Sequence, residues 1–234
     1  AGLSDFERVA HLRQVPMPGG AVAIKEPWRM AFAYLCEVFG DKAMGLDWVK
    51  RRDPQKCEIL RKMIEQKVNS PLTSSMGRLF DAVSSLLGIR DTVNYEGQAA
   101  VELEMAADSN VKEEYPFEIQ ATEWPMIVDA TEMMKGIVQD SVRGLTPSFI
   151  SAKFHGTVAR LVVETCRRIR SESGLERVVL SGGVFQNILL LDWAFRGLSE
   201  AGFEVYTHHL VPTNDGGISL GQAVIAHMRC FQCV

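Results

Sequence analysis

The sequence has no long hydrophobic run, and no stretch approaches the roughly 20 apolar residues that a helix needs to cross a bilayer. Its first residues also lack the basic, apolar and small-residue regions of a signal peptide. We therefore expect a cytoplasmic protein without a membrane partner. An excess of positive charge is missing as well, since the net charge is −4. Without a broad electropositive field, we expect no nucleic-acid partner.

Cysteine is scarce and follows no pairing framework. The chain has 5 cysteines, an odd number without regular spacing, which is typical of free thiols in a reducing compartment. Cys230 and Cys233 form a C-x-x-C pair, but a structural zinc site normally needs four ligands and no second pair exists. The pattern favours neither a disulfide-rich fold nor a structural zinc site.

Apolar residues, in contrast, make up 47% of the 234 residues, which is enough to bury a core. Their helical spacing predicts a helical N-terminal half over residues 26–107, with breaks at Gly40 and Gly88. A mixed, polar segment follows. In it we expect two short strands, at residues 117–119 and 126–128.

The second half, residues 146–234, has an α/β pattern. A long helix opens at Thr146-Pro147 and ends at Gly174. A strand, a Gly-Gly turn, a helix, a second strand and a last helix follow it, at residues 177–180, 182–183, 187–201, 203–206 and 217–227. This order predicts a parallel βαβ unit with a right-handed crossover, and a helix-rich α/β fold as a whole.

The first candidate site is the loop that follows the first of these strands. In open α/β sheets, ligands bind beyond the carboxyl ends of the strands. Gly182 and Gly183 have no Cβ there, so a nucleotide can lie against the main chain and its phosphates can accept N–H bonds. Asn187, at the start of the next helix, can donate its side-chain amide to the same ligand. The alternative is a tight turn that only packs the helix against the strand.

The second candidate site is the loop PTNDGGISLGQA. Asn214 and Asp215 end the strand-to-helix connection, and Gly216 and Gly217 are expected to let a ligand approach the last helix. An aspartate at this place suits a cation, although a plain helix N-cap is the simpler alternative. Because both loops follow neighbouring strands of one sheet, we expect them to converge on one cleft.

A third candidate lies in the helical half. Asp81, together with Glu96 and Gly97 of the YEGQAA turn, can hold ribose hydroxyls if its helix faces a cleft. The alternative for Asp81 is an ordinary surface acid. His155 flanks the apolar stripe of its helix, where we favour a hydrogen-bonded structural role over catalysis.

Five motifs, in order, resemble the C-terminal domain of the HypF family of hydrogenase-maturation carbamoyltransferases: GRLFDAVSSLLGI, YEGQAAVELE, KFHGTVARLV, LSGGVFQNILLL and VPTNDGGISLGQAVIA. The opening FERVAHLRQVPMPGGAVAIKEPWRMA matches too, so the resemblance covers nearly the whole chain. That domain is similar to the threonylcarbamoyl-transfer protein TsaD and, more distantly, to actin, Hsp70 and sugar kinases. The resemblance implies a ribonuclease-H-like lobe beside a nucleotide cleft.

The resemblance also implies a chemistry. HypF proteins make carbamoyl-adenylate from carbamoyl phosphate and ATP, and this domain transfers the carbamoyl group to the C-terminal cysteine of the partner HypE. There it becomes the cyanide ligand of [NiFe] hydrogenase. The implied metal ligand, for iron or zinc, is Asp215, and no residue is assigned as catalytic. The implied nucleotide-binding residues are Asp81, Glu96, Gly97, Gly182, Gly183, Asn187 and Asn214.

The chain also departs from the family at its front. Members carry an acylphosphatase domain, zinc-finger-like motifs and an adenylate-forming domain before this region, and a histidine pair completes their metal site. The chain has none of these, and no H-x-x-x-H spacing occurs in it. We therefore expect a fragment that is inactive alone, partnered by the missing domains of its polypeptide. Residues 1–25 would be a remnant of the first lobe and residues 26–234 the second lobe.

Two other functions stay open. An O-carbamoyltransferase of antibiotic biosynthesis has the same architecture, with a sugar hydroxyl in place of the thiol. A non-catalytic, nucleotide-gated interaction module is the other alternative, with residues 108–140 as its partner surface.

Overall fold

The computed structural model describes residue 2 and residues 5–122 and 124–231. Two compact units make up the chain. The first, here called the C-terminal unit, comprises Ala1–His11, Ala121–Met126 and Ala159–Val234. The second, here called the helical unit, comprises Leu12–Gln120 and Ile127–Val158. Cys233, half of the C-x-x-C pair, lies outside the described residues.

The helical unit is built mainly from helices that start where the sequence provides caps. Asp53 accepts hydrogen bonds from two amides of the first turn of its helix, and Ser75 accepts one from Arg78. Proline occupies the first turn of two of these helices. The helices are α1 (Val22–Lys25), α2 (Pro27–Phe39), α3 (Asp47–Lys50), α4 (Pro54–Glu65), α5 (Met76–Leu86), α6 (Gln98–Ala106) and α7 (Thr131–Val142).

The core of the helical unit lies between α2 and α5. Both helices are buried on most sides, and α5 buries even its polar residues Asp81, Ser84 and Ser85. Phe80 of α5 meets Phe154 edge to face at a centroid distance of 4.8 Å, a favoured geometry for aromatic rings.

Five short strands surround these helices: β1 (Ala10–Leu12), β2 (Val15–Pro16), β3 (Leu72–Thr73), β4 (Glu118–Gln120) and β5 (Met126–Asp129). β2 and β3 form an antiparallel pair, and the other three form a sheet of order β1-β5-β4. β4 and β5 are antiparallel, with Ile119 opposite Val128. They confirm the two strands predicted in this segment. The spans of β1, β2 and β3 are too short to leave an alternating pattern, and they were not predicted.

A 27-residue helix, α8 (Pro147–Ser173), leads into the C-terminal unit. The chain continues through β6 (Arg177–Val179), α9 (Ile188–Glu200), β7 (Glu204–Tyr206) and α10 (Ile218–Phe231). β6 and β7 pair in parallel, with Val178 opposite Val205, so the predicted βαβ unit is confirmed. The fold is mixed α/β and helix-rich, as the sequence indicates.

Close backbone packing fixes α9 against α8. A Cβ on Gly197 would lie 2.9 Å from Val163, so only glycine fits at this contact. The loop after α9 is held by Arg170, which donates to the Ala201 carbonyl at 3.0 Å and stacks on Phe203 at 4.0 Å. These contacts position the ends of β6 and β7. No helix in the described part of the chain is long and apolar enough to cross a membrane.

Candidate functional site

The two glycine loops of the C-terminal unit meet at the carboxyl ends of β6 and β7. The amide of Gly182 donates to the Thr213 carbonyl at 2.8 Å, and the Thr213 hydroxyl donates back to the Gly182 carbonyl at 3.2 Å. The loops therefore lie side by side at one edge of the sheet, where α/β proteins bind ligands. Thr213 was not singled out from the sequence, because no pattern distinguishes it from any other loop threonine.

Gly182 and Gly183 both have free space at the position of a Cβ atom, and they differ in backbone conformation. Gly182 has φ 106°, a conformation that side chains disfavour, while a Cβ built on it would meet nothing within 4 Å. A Cβ on Gly183 would have only ordinary contacts, the nearest at 3.9 Å. Packing inside the protein thus does not require either residue to be glycine. The space beside them is open to a ligand.

The turn also presents amides that the protein itself does not use. Residues Gly183–Gln186 form a single 3-10 turn that Gly182 caps. Within the described residues, neither the Gly183 amide nor the Val184 amide has a hydrogen-bond partner. Two adjacent N–H groups at such a turn form an anion-binding concavity.

Asn187 begins α9, as predicted, but its side chain is largely committed to the helix. Its Oδ1 atom accepts from the Leu190 amide at 2.8 Å, which makes it the N-cap, and the residue is only 7% exposed. The Asn187 side chain therefore fixes the start of α9, directly after the glycine turn. A contact from its side-chain amide to a ligand stays a prediction.

The second loop has a different local structure from the one expected. Asn214 caps a 3-10 turn through a bond from the Gly216 amide to Oδ1 at 3.1 Å. A Cβ on Gly216 would lie 2.8 Å from Pro212, and one on Gly217 would lie 3.0 Å from the Pro212 carbonyl. These two glycines are thus explained by packing against Pro212. That they also let a ligand approach stays a prediction.

Asp215 lies in this turn with its carboxylate exposed. The carboxylate has no hydrogen bond or ion pair within the part of the chain that the structure describes. No group of three or more His, Cys, Asp or Glu side chains among those residues could hold a metal ion. Since a catalytic divalent ion usually has three protein ligands, these residues alone do not fit the iron or zinc site that the resemblance implies. Asp215 as one metal ligand stays a prediction.

In the helical unit, Asp81 is buried and not a surface acid. Its Oδ2 lies 2.9 Å from Arg78 Nη1, without the geometry of a hydrogen bond, and Ser84 Oγ also lacks a partner. Burial raises the pKa of Asp81 to about 6, and the charge of Arg78 opposes this shift. Its predicted contact with ribose hydroxyls stays a prediction.

Glu96 and Gly97 lie at the start of α6. Gly97 caps this helix with φ 80°, which favours glycine, and nothing lies within 4 Å of its Cβ position. Glu96 is exposed and Gln98 is buried. Glu96 and Gly97 are thus open to a ligand on their own unit, but a contact with a nucleotide stays a prediction.

His155 has the structural role that was favoured. It is fully buried, and its Nδ1–H donates to the Ser151 carbonyl at 2.7 Å. Its ring packs edge to face on Phe80 and Phe154. Burial lowers the pKa of His155 to about 4, while the bond to Ser151 opposes the shift. The imidazole is therefore neutral at physiological pH.

Most of the chain matches a known family. The family profile described as "Carbamoyltransferase, Kae1-like Domain, second subdomain" matches residues 1–222. Carbamoyltransferase HypF of Synechocystis sp. is 35% identical over 98% of this chain, and this chain covers 31% of its length. HypF of Rhodobacter capsulatus is 35% identical over 94% of the chain, which covers 28% of that protein. The chain thus spans about a third of the length of these relatives.

Solved structures give the same result. A crystal structure of full-length HypF in the phosphate- and nucleotide-bound form is 44% identical, with a TM-score of 0.91 over 97% of this chain and 35% of that one. The structure of T. kodakarensis HypF is 28% identical, with a TM-score of 0.83 over 99% of this chain and 31% of that one. On this sequence and structural similarity, the chain belongs to the HypF carbamoyltransferases and corresponds to the second subdomain of their Kae1-like domain.

Proposed function

We propose that this chain is the part of a carbamoyltransferase that holds carbamoyl-adenylate during transfer of the carbamoyl group. The observation that carries the proposal is the pair of unpartnered amides at Gly183 and Val184, in a glycine turn bonded to the neighbouring loop. An adenylate phosphate is an anion that accepts two such N–H bonds. The nucleotide-bound form of the 44% identical HypF supports this assignment.

The two amides have a direct part in the chemistry. When the acceptor attacks the carbamoyl carbon, the bond from that carbon to the phosphate oxygen breaks and negative charge grows on the phosphate. Fixed N–H donors at 183 and 184 stabilise that charge without having to reorganise. Asn187 keeps the turn in place through the start of α9.

Other parts of the proposal concern residues whose roles are not yet tested. Asn214, Asp81, Glu96 and Gly97 are proposed as further nucleotide contacts, and Asp215 as a single metal ligand whose partners lie outside the described residues. A divalent metal held there would polarise the carbamoyl oxygen. We assign ATP-dependent adenylate formation to the rest of the polypeptide, and expect this chain alone to bind nucleotide without transferring the group.

The acceptor that we propose is the C-terminal cysteine of a HypE-type protein, in the cytoplasm, as a step of [NiFe] hydrogenase maturation. A thiol acceptor and a sugar hydroxyl acceptor need the same nucleotide site, so the acceptor must be tested separately. The full-length polypeptide containing this chain should carbamoylate the HypE thiol and leave an aminoglycoside hydroxyl unmodified. Modification of the hydroxyl alone would favour the antibiotic-type enzyme.

Nucleotide binding is tested with Gly183→Ala, measured by titration calorimetry with AMP. The added methyl has only ordinary contacts within the protein, so the fold should persist, but it fills the space where the phosphate lies. We expect AMP affinity to fall at least about tenfold, or 1.4 kcal/mol. Gly221→Ala on α10, where nothing lies within 4 Å of the Cβ position, is the matched control. Equal affinity of Gly183→Ala and wild type would contradict the site.

A further inference from the structure

Ser181 and His208 form a polar pair at the carboxyl ends of β6 and β7. The Nε2 atom of His208 lies 2.9 Å from the Oγ atom of Ser181. Ser181 immediately precedes Gly182, so the pair adjoins the glycine turn whose two amides lack partners. A serine hydroxyl within hydrogen-bond reach of an imidazole, next to main-chain donors, is the arrangement that acyl-transfer sites use to move a proton.

The ionisable side chains of β6 and β7 bond each other, and two of them, Arg177 and Glu204, begin these strands. Arg177 Nε and Glu204 lie 3.0 Å apart, and the Tyr206 hydroxyl also donates to Glu204. Tyr206 and Arg177 together lower the pKa of Glu204, which therefore stays a carboxylate. The adjacent His209 bonds a threonine hydroxyl at 3.2 Å. Of these groups, only His208 is hydrogen bonded to Ser181, the residue that precedes the cap of the turn.

We propose that Ser181 and His208 are a proton relay that removes the proton of the attacking group during carbamoyl transfer. This inference rests on the proposed function, because it requires the carbamoyl-adenylate phosphate at the amides of Gly183 and Val184. With the phosphate there, the Ser181 hydroxyl is separated from the anion-binding turn only by Gly182, which caps that turn.

In this relay, proton transfer through Ser181 and His208 accompanies substitution at the carbamoyl carbon. The acceptor S–H or O–H gives its proton to Ser181 Oγ, and the proton of Ser181 passes to Nε2 of His208, which becomes imidazolium. The acceptor atom forms a bond to the carbamoyl carbon. The bond from that carbon to the phosphate oxygen breaks, and AMP leaves with the bonding electron pair. The imidazolium then returns its proton to solvent.

A purely structural role for the pair makes a different prediction. If the bond only held the ends of two strands together, glutamine at position 208 would replace it, because its amide also reaches a hydroxyl. Glutamine does not accept a proton near neutral pH. The variant His208→Gln therefore separates hydrogen bonding from proton transfer, and His209→Gln is a control at the neighbouring exposed residue.

The first test is the transfer rate of the full-length polypeptide that contains this chain, with a thiol acceptor, across the pH range in which histidine titrates. We expect His208→Gln and Ser181→Ala to lower kcat about 100-fold, with the KM for nucleotide within about twofold of wild type. The loss of rate at acidic pH should disappear in His208→Gln, and His209→Gln should match wild type. Wild-type kcat and pH dependence in His208→Gln would overturn the relay.

A second test separates the relay from the nucleotide site. AMP is added to this chain while the amide signal of Gly183 and the ring Cε1–H signals of the histidines are followed by NMR. The relay predicts that AMP shifts the amide signal of Gly183 and changes the pH dependence of the ring signal of His208. In Ser181→Ala, the ring signal of His208 should no longer respond to AMP. A shift of Gly183 with an unchanged His208 titration would overturn the relay and leave the proposed function standing. No shift of either signal would contradict both.

Discussion

Gly136 in the helical unit and Gly182 in the C-terminal unit are glycine for opposite reasons. In the helical unit, a Cβ on Gly136 would lie 2.6 Å from the ring of Tyr115, so packing requires glycine. In the C-terminal unit, no atom lies within 4 Å of a Cβ on Gly182. A glycine that internal packing explains carries no information about ligands. One beside empty space and unpartnered amides indicates a ligand site.

The polar residues differ in the same way. In the helical unit, the buried Asp140 is bonded by its neighbours: it accepts from the Tyr115 hydroxyl at 2.9 Å and from Lys153 at 2.8 Å. At the edge of the C-terminal unit, the carboxylate of Asp215 is exposed and unpartnered among the described residues. We therefore expect substitutions in the helical unit to change stability, and substitutions in the two glycine loops of the C-terminal unit to change ligand binding.

The largest expected effect is that of Asp140→Ala. Its removal leaves the Lys153 ammonium, which also stacks on the Tyr115 ring at 4.2 Å, without its counter-charge in a largely buried site. We expect the free energy of unfolding to fall by about 4 kcal/mol in urea denaturation. Asp192→Ala, which breaks an exposed pair with Arg196, should cost less than about 1 kcal/mol. Equal losses would contradict the contrast between the units.

The next effect is a pH dependence centred on the helical unit. Because burial lowers the pKa of His155 to about 4, the unfolded chain binds more protons below pH 6.5, and stability falls as the pH drops from 6.5 towards 4. This contribution is about 3 kcal/mol. Asp81 acts in the opposite direction, since its raised pKa of about 6 means that the folded state binds more protons between pH 4 and 6.

Asp81→Asn removes that opposing contribution. The variant should therefore lose stability more steeply than wild type between pH 6 and 4, as measured by urea denaturation at several pH values. Identical slopes for the two proteins would show that Asp81 is ionised in the folded state.

A smaller difference is expected between two glycine-to-alanine changes. Gly136→Ala places a methyl against the Tyr115 ring and should lower the free energy of unfolding by about 2 kcal/mol. Gly221→Ala, in the open on α10, should raise it by up to about 1 kcal/mol, because alanine is the better helix former. Thermal unfolding of both variants measures the contrast. A destabilised Gly221→Ala would contradict the account of its surroundings.

The smallest change in stability is expected for Gly183→Ala. Its Cβ meets only Asn214 and Gln186, at 3.9 and 4.0 Å, so the unfolding temperature should stay close to that of wild type. This near-neutral effect makes the variant useful, because any loss of AMP affinity is then a property of the site. A large drop in unfolding temperature would mean that packing, and not a ligand, requires this glycine.

Much of the fold could be predicted because hydrophobic spacing and caps are local signals. Pro27 and Asp53 start helices, which are common roles of proline and aspartate, and the βαβ unit follows from the order of its elements. The two-residue strands β2 and β3 were missed, since so short a span has no periodicity. The burial of Asp81 was also missed, because a charged residue on a helix gives no sign of how many sides its neighbours cover.

The site was predicted only in part. Sequence order placed both glycine loops at neighbouring strand ends, and the bonds between Gly182 and Thr213 confirm that they meet. The packing of Gly216 against Pro212 depends on the path of one loop, which spacing does not determine. The pairing of Ser181 with His208 joins residues that follow different strands, so only the register of β6 and β7 reveals it.

The most direct test of the nucleotide site is the change in amide chemical shifts when AMP is added to the chain. The account predicts that the largest shifts occur at Gly183 and Val184, whose N–H groups would bond the phosphate, and that Gly136 in the helical unit does not respond. Shifts that are absent at 183 and 184, or that centre on another part of the chain, would contradict it.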